Sequence, residues 1–130
     1  MSSSDQQPEL PYIQALCQQI QSELQQDGKS AALTTNLASV QSVFQQCFAA
    51  LSPTWTETEA AQAQPIQVEI NKQLRLLEAD SRFLAAARQD QTIQQRKQQI
   101  HQRLDLLLRY VDAIAAIQAQ SEEVPSDQPG

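Results

Sequence analysis

The sequence predicts an all-α protein, folded as an antiparallel four-helix bundle. Apolar residues recur at three- and four-residue steps along most of the chain, which is the period of one helix face. Strict alternation of apolar and polar residues, which is typical of strands, is absent. Glycine occurs only at positions 28 and 130, and the many glutamines fall between apolar residues, as on a helix surface. We expect one domain over residues 9–120, between disordered polar tails at 1–8 and 121–130.

The first two helices are predicted over residues 9–26 and 31–51. Gly28 is suited to end the first helix, because glycine adopts the left-handed conformation that closes many helices. Ser30 can then cap the second helix. The stripe of the first helix consists of Leu10, Ile13, Cys17, Ile20 and Leu24. The stripe of the second consists of Leu33, Leu37, Val40, Phe44, Cys47, Phe48 and Leu51.

The connection that begins at Pro53 contains a second start signal. Thr56 and Glu59 have capping-box spacing, in which each side chain bonds the backbone N–H of the other residue, so a helical turn is expected there. Pro65 is expected either to kink this turn or to be the first residue of the third helix, which is predicted over residues 65–88.

The fourth helix is predicted over residues 92–120. Thr92 and Gln95 again have capping-box spacing. Only residues 89–91 separate this helix from the third, so the two are expected to be antiparallel neighbours. The apolar stripe of the fourth helix is close to a heptad repeat and consists of Ile93, Ile100, Leu104, Leu107, Val111 and Ile114.

Trp55 and the two cysteines have both structural and functional interpretations. Trp55 is expected to fold over the end of the bundle, and an anchor for a partner is the alternative. Cys17 and Cys47 fall on apolar stripes, so they are expected to be buried free thiols. Two cysteines and one histidine are too few for a structural zinc site.

Positive charge is concentrated in one part of a chain whose net charge is −6. The segment from Lys72 to Arg109 contains eight of the nine Lys and Arg residues and only four acids. Binding of nucleic acid is not expected, because it usually requires a stronger basic field and stacking aromatic residues. A protein partner with an acidic surface fits this moderate patch better.

The third helix has apolar residues on two sides. Its main stripe consists of Ile66, Ile70, Leu74, Leu77 and Leu84. A second strip, nearly opposite, consists of Leu76, Ala79, Phe83 and Ala86, with Lys72, Arg75 and Arg82 on or beside it. The fourth helix also has a second strip, formed by Leu106, Tyr110, Ala113 and Ile117, and Arg96 and Arg103 share a stripe near the edge of its main face.

Two interpretations of the second strips stay open. In one, the third helix is central and the other helices cover both its faces. In the other, the strip is an exposed interface for a second copy or another protein, since Arg and aromatic residues are concentrated at binding hot spots. Glu78–Arg82 and Asp105–Arg109 have the spacing of ion pairs along a helix. Six cations lack such an acid, namely Lys72, Arg75, Arg88, Arg96, Lys97 and Arg103.

Catalytic and cofactor chemistry are not expected. No Glu and Glu-x-x-His set for a di-metal site is present. The segment "DGKSAAL" lacks the first glycine of a phosphate-binding loop and follows a helix. His101 is followed by Gln-Arg-Leu-Asp rather than by the H-x-x-K-G context of phosphotransfer domains, so we expect a solvated or boundary histidine. We therefore expect no enzyme activity, no cofactor and no metal.

The segment "NKQLRLLEADSRFLAAARQ", together with "IHQRLDLLLRYVDAI", resembles the C-terminal half of the cyanobacterial PatD proteins, the heterocyst-frequency control family. The match covers residues 65–117. Its features are "KQLRLLE" at 72–78, Phe83, "AARQ" at 86–89, and the spacing of Arg103, Leu104, Tyr110, Ala113 and Ile114. The resemblance implies a small cytoplasmic helical protein without enzyme activity. Such a protein would bind the division protein FtsZ, favour its assembly, and influence cell size and, in filamentous strains, heterocyst frequency.

FtsZ is acidic, so a basic and partly apolar helix is a suitable docking surface for it. The alternatives are an adaptor for another acidic partner and a homodimer through the second strips. The start "MSSSDQQPEL" lacks the regions of a signal peptide, and no stretch reaches the roughly 20 apolar residues of a membrane span, so a cytoplasmic location is expected. The candidate partner-binding residues are Lys72, Arg75, Leu76, Arg82, Phe83, Arg96 and Arg103.

Overall fold

The computed structural model describes residues 9–26 and 31–123, with the backbone alone at residues 31, 32 and 121–123. Within these ranges the secondary structure is helical and contains no strand, which confirms the all-α prediction. The tails expected at residues 1–8 and 124–130 lie outside the described residues. The helices are α1 (Leu10–Leu24), α2 (Ala31–Leu51), α3 (Glu57–Ala86) and α4 (Asp90–Glu123), with one 3-10 turn at Ser52–Thr54.

The four helices form a ring in chain order. The most extensive interface is between α3 and α4, while α1 packs against α2 and α4, and α2 packs against α3. The direction of α4 relative to α1 follows from two hydrogen bonds: Gln14 donates to Asp112 at 2.7 Å, and Gln21 donates to Asp105 at 2.8 Å. Each step forward in α1 is thus a step back in α4. The short connections favour this antiparallel arrangement, and the bundle prediction is confirmed.

The predicted stripes meet in one core. Every position of the α1 stripe is buried, and Ile100, Leu104, Leu107, Val111 and Ile114 of α4 are completely inaccessible. Each buried aliphatic side chain of this size contributes about 1.5–3 kcal/mol relative to an exposed one. Leu51, Ile66 and Ile93 are only partly buried and pack against the edge of the core.

The predicted start of the third helix at residue 65 is wrong, because α3 begins at Glu57. The capping box responsible is confirmed: Thr56 Oγ1 accepts from the Glu59 N–H at 3.0 Å, and the Glu59 carboxylate accepts from the Thr56 N–H at 2.8 Å. Pro65 therefore lies inside the helix. It has no N–H for the Ala61 carbonyl, but Ala61 is exposed, so solvent can satisfy that oxygen.

The ends of α4 also differ from the prediction. The helix begins at Asp90, so Thr92 lies in the first turn instead of at the cap. The N–H of Ile93 donates to the Gln89 carbonyl at 2.9 Å, which is the first bond of the helical series. A carboxylate at Asp90 suits this end, because the helix dipole is positive there. At the other end α4 continues to Glu123, so residues 121–123 of the expected tail are helical.

Trp55 and the two cysteines are structural. Trp55 packs against the core, with its ring edge-on to Phe48 at 6.2 Å between centroids, as expected for a residue folded over the bundle end. Cys17 and Cys47 are buried free thiols, as predicted. Burial raises the pKa of Cys17 to about 12. Burial, and secondarily the charge of Glu9, raises the pKa of Cys47 to about 11.

Candidate functional site

The seven candidate residues lie along α3 and α4 in three different environments. Lys72, Arg75 and Arg82 are exposed on α3. Phe83 is 54% exposed, while Leu76 is half-buried. The two α4 arginines are turned toward α3 and are partly or mostly covered. The candidates therefore do not form one uniform surface.

The side of α3 that points away from the core is basic and apolar. At about 100° per residue along the helix, the residues on this side lie roughly opposite the buried Leu77. We call this surface the outer face of α3; it consists of Val68, Lys72, Arg75, Leu76, Ala79, Arg82 and Phe83. The acids of α3 beyond residue 64 lie on its flanks, at Glu69, Glu78 and Asp80. The side chains of Lys72 and Arg75 make no hydrogen bond or ion pair with any residue of the described ranges.

Val68 belongs to this face but was missed by the sequence analysis. Its side chain is 57% exposed, which makes it the most exposed of the large apolar residues in the described ranges. Val68 precedes Lys72 by four residues and Arg75 by seven, so the helical period alone places it beside them. The spacing that identified the second strip could have found it.

The interpretation that makes the third helix central is wrong. In the ring of helices α3 packs against α2 and α4, and its contact with α1 is at most minor. Leu76 and Ala79 are partly buried, and Phe83 is covered on one side by Arg96. The second strip of α3 is therefore partly covered by α4, and its remainder faces solvent.

A buried ionic cluster joins α3 to α4. The Asp80 side chain is only 6% exposed. Arg103 Nε donates to one of its carboxylate oxygens, and Arg96 lies 3.5 Å from the other. Arg103 also donates to the side-chain carbonyl of the buried Gln73 at 3.4 Å. Two guanidinium groups share one carboxylate, so the cluster retains one positive charge.

No acid lies four residues from Arg96, Lys97 or Arg103 on the same helix, so the sequence offered these cations no partner. The structure supplies partners from other helices. Asp80 is 23 residues from Arg103 in the chain. Lys97 is buried, and its Nζ donates to the Gln26 carbonyl just beyond α1 at 2.6 Å. A cation is favourable at this position because the C-terminal end of a helix is the negative end of its dipole.

The two ion pairs predicted along single helices had different outcomes. Arg82 pairs with Glu78 at 3.5 Å, and both side chains are largely exposed. Asp105 instead accepts a hydrogen bond from Gln21 of α1 and lies 3.9 Å from the His101 imidazole. His101 is partly exposed, as expected for a boundary histidine.

Phe83 and Arg96 form a cation–π pair across the outer edge of the α3–α4 interface. The Arg96 guanidinium carbon lies 4.5 Å from the centre of the Phe83 ring. Contacts of this type contribute about 0.5–1 kcal/mol when exposed and more when shielded from water. The pair places a cation and an exposed aromatic ring side by side.

None of the helices within residues 9–26 and 31–123 has the length and apolar character needed to cross a membrane. In the same ranges, no cluster of three or more Cys, His, Asp and Glu side chains could hold a metal ion. Comparison of the chain with protein-family models, curated proteins and solved structures found no match.

Proposed function

We propose that this protein is a non-enzymatic, cytoplasmic regulator of cell division that binds FtsZ through the outer face of α3 and favours FtsZ assembly. The observation that carries the proposal is the composition of that face. Cations and exposed apolar side chains lie together there, while the acids of α3 beyond residue 64 lie to either side. Through FtsZ the protein would influence cell size and, in filamentous strains, heterocyst frequency.

The charges on this face support a role in binding, because the fold does not use them all. Lys72 and Arg75 have no partner in the described ranges, and Arg82 has only an exposed pair with Glu78. An exposed pair of this type contributes about 0.2–0.5 kcal/mol, so these cations add little to stability. Positive groups around an apolar surface accelerate association with an acidic protein and fix its orientation.

The identity of the partner rests on the resemblance to the PatD family. The stretch "KQLRLLE" at residues 72–78 contributes Lys72, Arg75 and Leu76 to the outer face. The resemblance extends over residues 65–117, which include most of α3 and much of α4. These two helices carry all the candidate partner-binding residues.

An adaptor for a different acidic protein is the second candidate, since Lys72 and Arg75 would suit any acidic surface. A homodimer in which the two outer faces meet is less favourable. Lys72, Arg75 and Arg82 of one copy would then approach the same residues of the other, and like charges oppose such a contact.

Co-sedimentation of FtsZ with GTP, using FtsZ from the same organism, tests the proposal. We expect the wild-type protein to pellet with FtsZ and to increase the amount of polymer. The variant Arg75→Glu/Arg82→Glu should lose binding, because both charges would then repel the acidic partner.

The matched control is Arg88→Glu/Arg109→Glu, which makes the same change in net charge at two exposed positions outside the outer face. We expect this variant to bind FtsZ almost as the wild type does. Circular dichroism should show unchanged helicity for both variants. Equal loss of binding in the two double variants would indicate a nonspecific charge effect. Full binding by Arg75→Glu/Arg82→Glu would contradict the proposal that the outer face of α3 is the docking surface.

A further inference from the structure

We infer that Arg96 of α4, held against Phe83 at the edge of the outer face of α3, binds a carboxylate from an acidic, partly apolar segment of the partner. This inference rests on the proposed protein-binding function, but not on the partner being FtsZ. It assigns different roles to two arginines that the sequence treats alike. Arg103 compensates the buried charge of Asp80, whereas Arg96 keeps part of its side chain exposed for recognition.

The ionic cluster of Asp80, Arg96 and Arg103 has two cations and one anion. Asp80 is the carboxylate shared by both arginines, and Arg103 makes the closer contact with it. Arg103 is also bonded to Gln73, and only 17% of its side chain is exposed. Arg96 makes a single long contact with Asp80 and is 38% exposed. Because Arg103 already balances Asp80, the remaining positive charge lies at Arg96.

Phe83 holds Arg96 in place on the surface. The guanidinium carbon of Arg96 lies over the Phe83 ring, and 38% of the Arg96 side chain remains exposed to a ligand. A guanidinium that is already held in place loses less side-chain entropy when it binds a carboxylate. An arginine with a bidentate fork is also better matched to a carboxylate than a lysine would be.

The ligand needs an apolar part as well as a carboxylate. Phe83 offers apolar contact beside Arg96, and the half-buried Leu76 lies about two helical turns earlier on the same face of α3. A suitable ligand therefore combines an acidic and an apolar side chain, as an amphipathic acidic segment does. A second copy docked through the same face would bring Lys72 and Arg75 toward the cations already there. A nucleic acid is opposed by the net charge of −6.

The experiment uses the full chain and fluorescence anisotropy. The probe is a labelled synthetic helical peptide with glutamates and leucines on one face, and a second peptide has glutamine in place of each glutamate. We expect the acidic peptide to bind wild type about tenfold more tightly than it binds Arg96→Gln, which corresponds to about 1.4 kcal/mol for the loss of one charge-assisted contact. The glutamine peptide should bind wild type about tenfold more weakly.

Arg109→Gln is the matched control, because it removes one exposed arginine from the same helix outside the Phe83 contact. It should bind the acidic peptide as wild type does. Phe83→Ser should weaken binding although every charge is kept, and Arg96→Lys should be intermediate. Arg96→Gln should have a melting temperature close to that of the wild type, which separates recognition from folding.

Several outcomes would overturn the inference. These are equal affinity of wild type and Arg96→Gln, no binding of the acidic peptide at about 1 mM, and unfolding of Arg96→Gln. Tighter binding of a single-stranded oligonucleotide than of the peptide would indicate a nucleic-acid surface instead. Self-association of the wild type that Arg96→Gln abolishes would indicate a second copy as the ligand.

Co-sedimentation with FtsZ separates the inference from the proposed function. If the peptide results hold and FtsZ does not bind, the partner assignment fails while the role of Arg96 stands. If FtsZ binds wild type and Arg96→Gln equally, the role of Arg96 fails while the proposed function stands.

Discussion

Asp80 shows how one buried residue determines the roles of its neighbours. A carboxylate removed from water loses favourable hydration, and it is retained at low cost only when hydrogen bonds from cations replace that hydration. Arg103 provides most of this replacement, with Gln73 holding the guanidinium from its other side. The buried cluster thus favours one register between α3 and α4, because sliding by a turn would separate these groups.

We expect Arg103→Met to destabilise the protein by about 3 kcal/mol, since removing one partner leaves the buried carboxylate poorly compensated. Urea unfolding measures this effect. The double variant Asp80→Leu/Arg103→Met should recover most of the loss, because an apolar pair of similar volume replaces the buried ion pair.

Arg109→Met, at an exposed site, should change the free energy of unfolding by no more than about 0.5 kcal/mol. A similar effect of Arg103→Met and Arg109→Met would show that the Asp80 contact contributes little. Destabilisation of the double variant as large as that of Arg103→Met would contradict the argument from the buried charge.

At the scale of a helix, α3 has a strong capping signal at its start and, further along, a proline that weakens its hydrogen bonding. The capping box of Thr56 and Glu59 satisfies N–H groups that otherwise have no partner at a helix N-terminus. The helix therefore begins before Pro65 and continues through it. The proline removes one hydrogen bond, so the first turns of α3 are joined less firmly to the segment that carries the outer face.

We expect Pro65→Ala to raise the free energy of unfolding by about 1–3 kcal/mol, because alanine restores the hydrogen bond to Ala61 and has the best helix propensity. Position 65 is exposed, so the substitution removes no core contact. Thermal and urea unfolding measure the change.

Gln64→Ala is the control for Pro65→Ala, because Gln64 is exposed and directly adjacent. It should change stability by no more than about 0.5 kcal/mol. A decrease in stability on replacing Pro65 would mean that the fold depends on the proline at this position.

For the whole molecule, the ring order of the helices gives the inner and outer faces of the α3–α4 pair different roles. The inner faces contribute to a core shared by all four helices, and the outer face of α3 carries cations in a protein whose net charge is −6. An acidic partner would be attracted to this face and repelled by much of the remaining surface. Such asymmetry favours one docking orientation.

The salt dependence of FtsZ binding should reveal this uneven distribution of charge. Raising the salt concentration from about 50 mM to about 300 mM shortens the screening length from about 14 Å to about 6 Å. We expect binding to unpolymerised FtsZ, measured by anisotropy, to weaken severalfold, with most of the change in the association rate. An unchanged affinity would instead indicate that the interface with FtsZ is mainly apolar.

Sequence alone determined the class of the fold, the four helices, and most of the core. Stripes such as that of α1 and the capping box of Thr56 depend on residues three or four apart, and the helical period relates these positions without further information. The basic strip of α3 was found for the same reason, but its exposure was left open by the sequence. Local spacing also placed Trp55 between two helices, and the expected packing over the end of the core is what the structure shows.

Only the tertiary structure decided the ring order of the helices and the different environments of Arg96 and Arg103. The two arginines lie one heptad apart from each other on the same stripe of α4, so the helical period cannot distinguish them. Their difference depends on Asp80 and Phe83 of the facing helix, and Lys97 likewise depends on a carbonyl beyond α1. Periodicity describes which side of a helix a residue occupies, whereas its charge partner depends on which helix packs there and in which register.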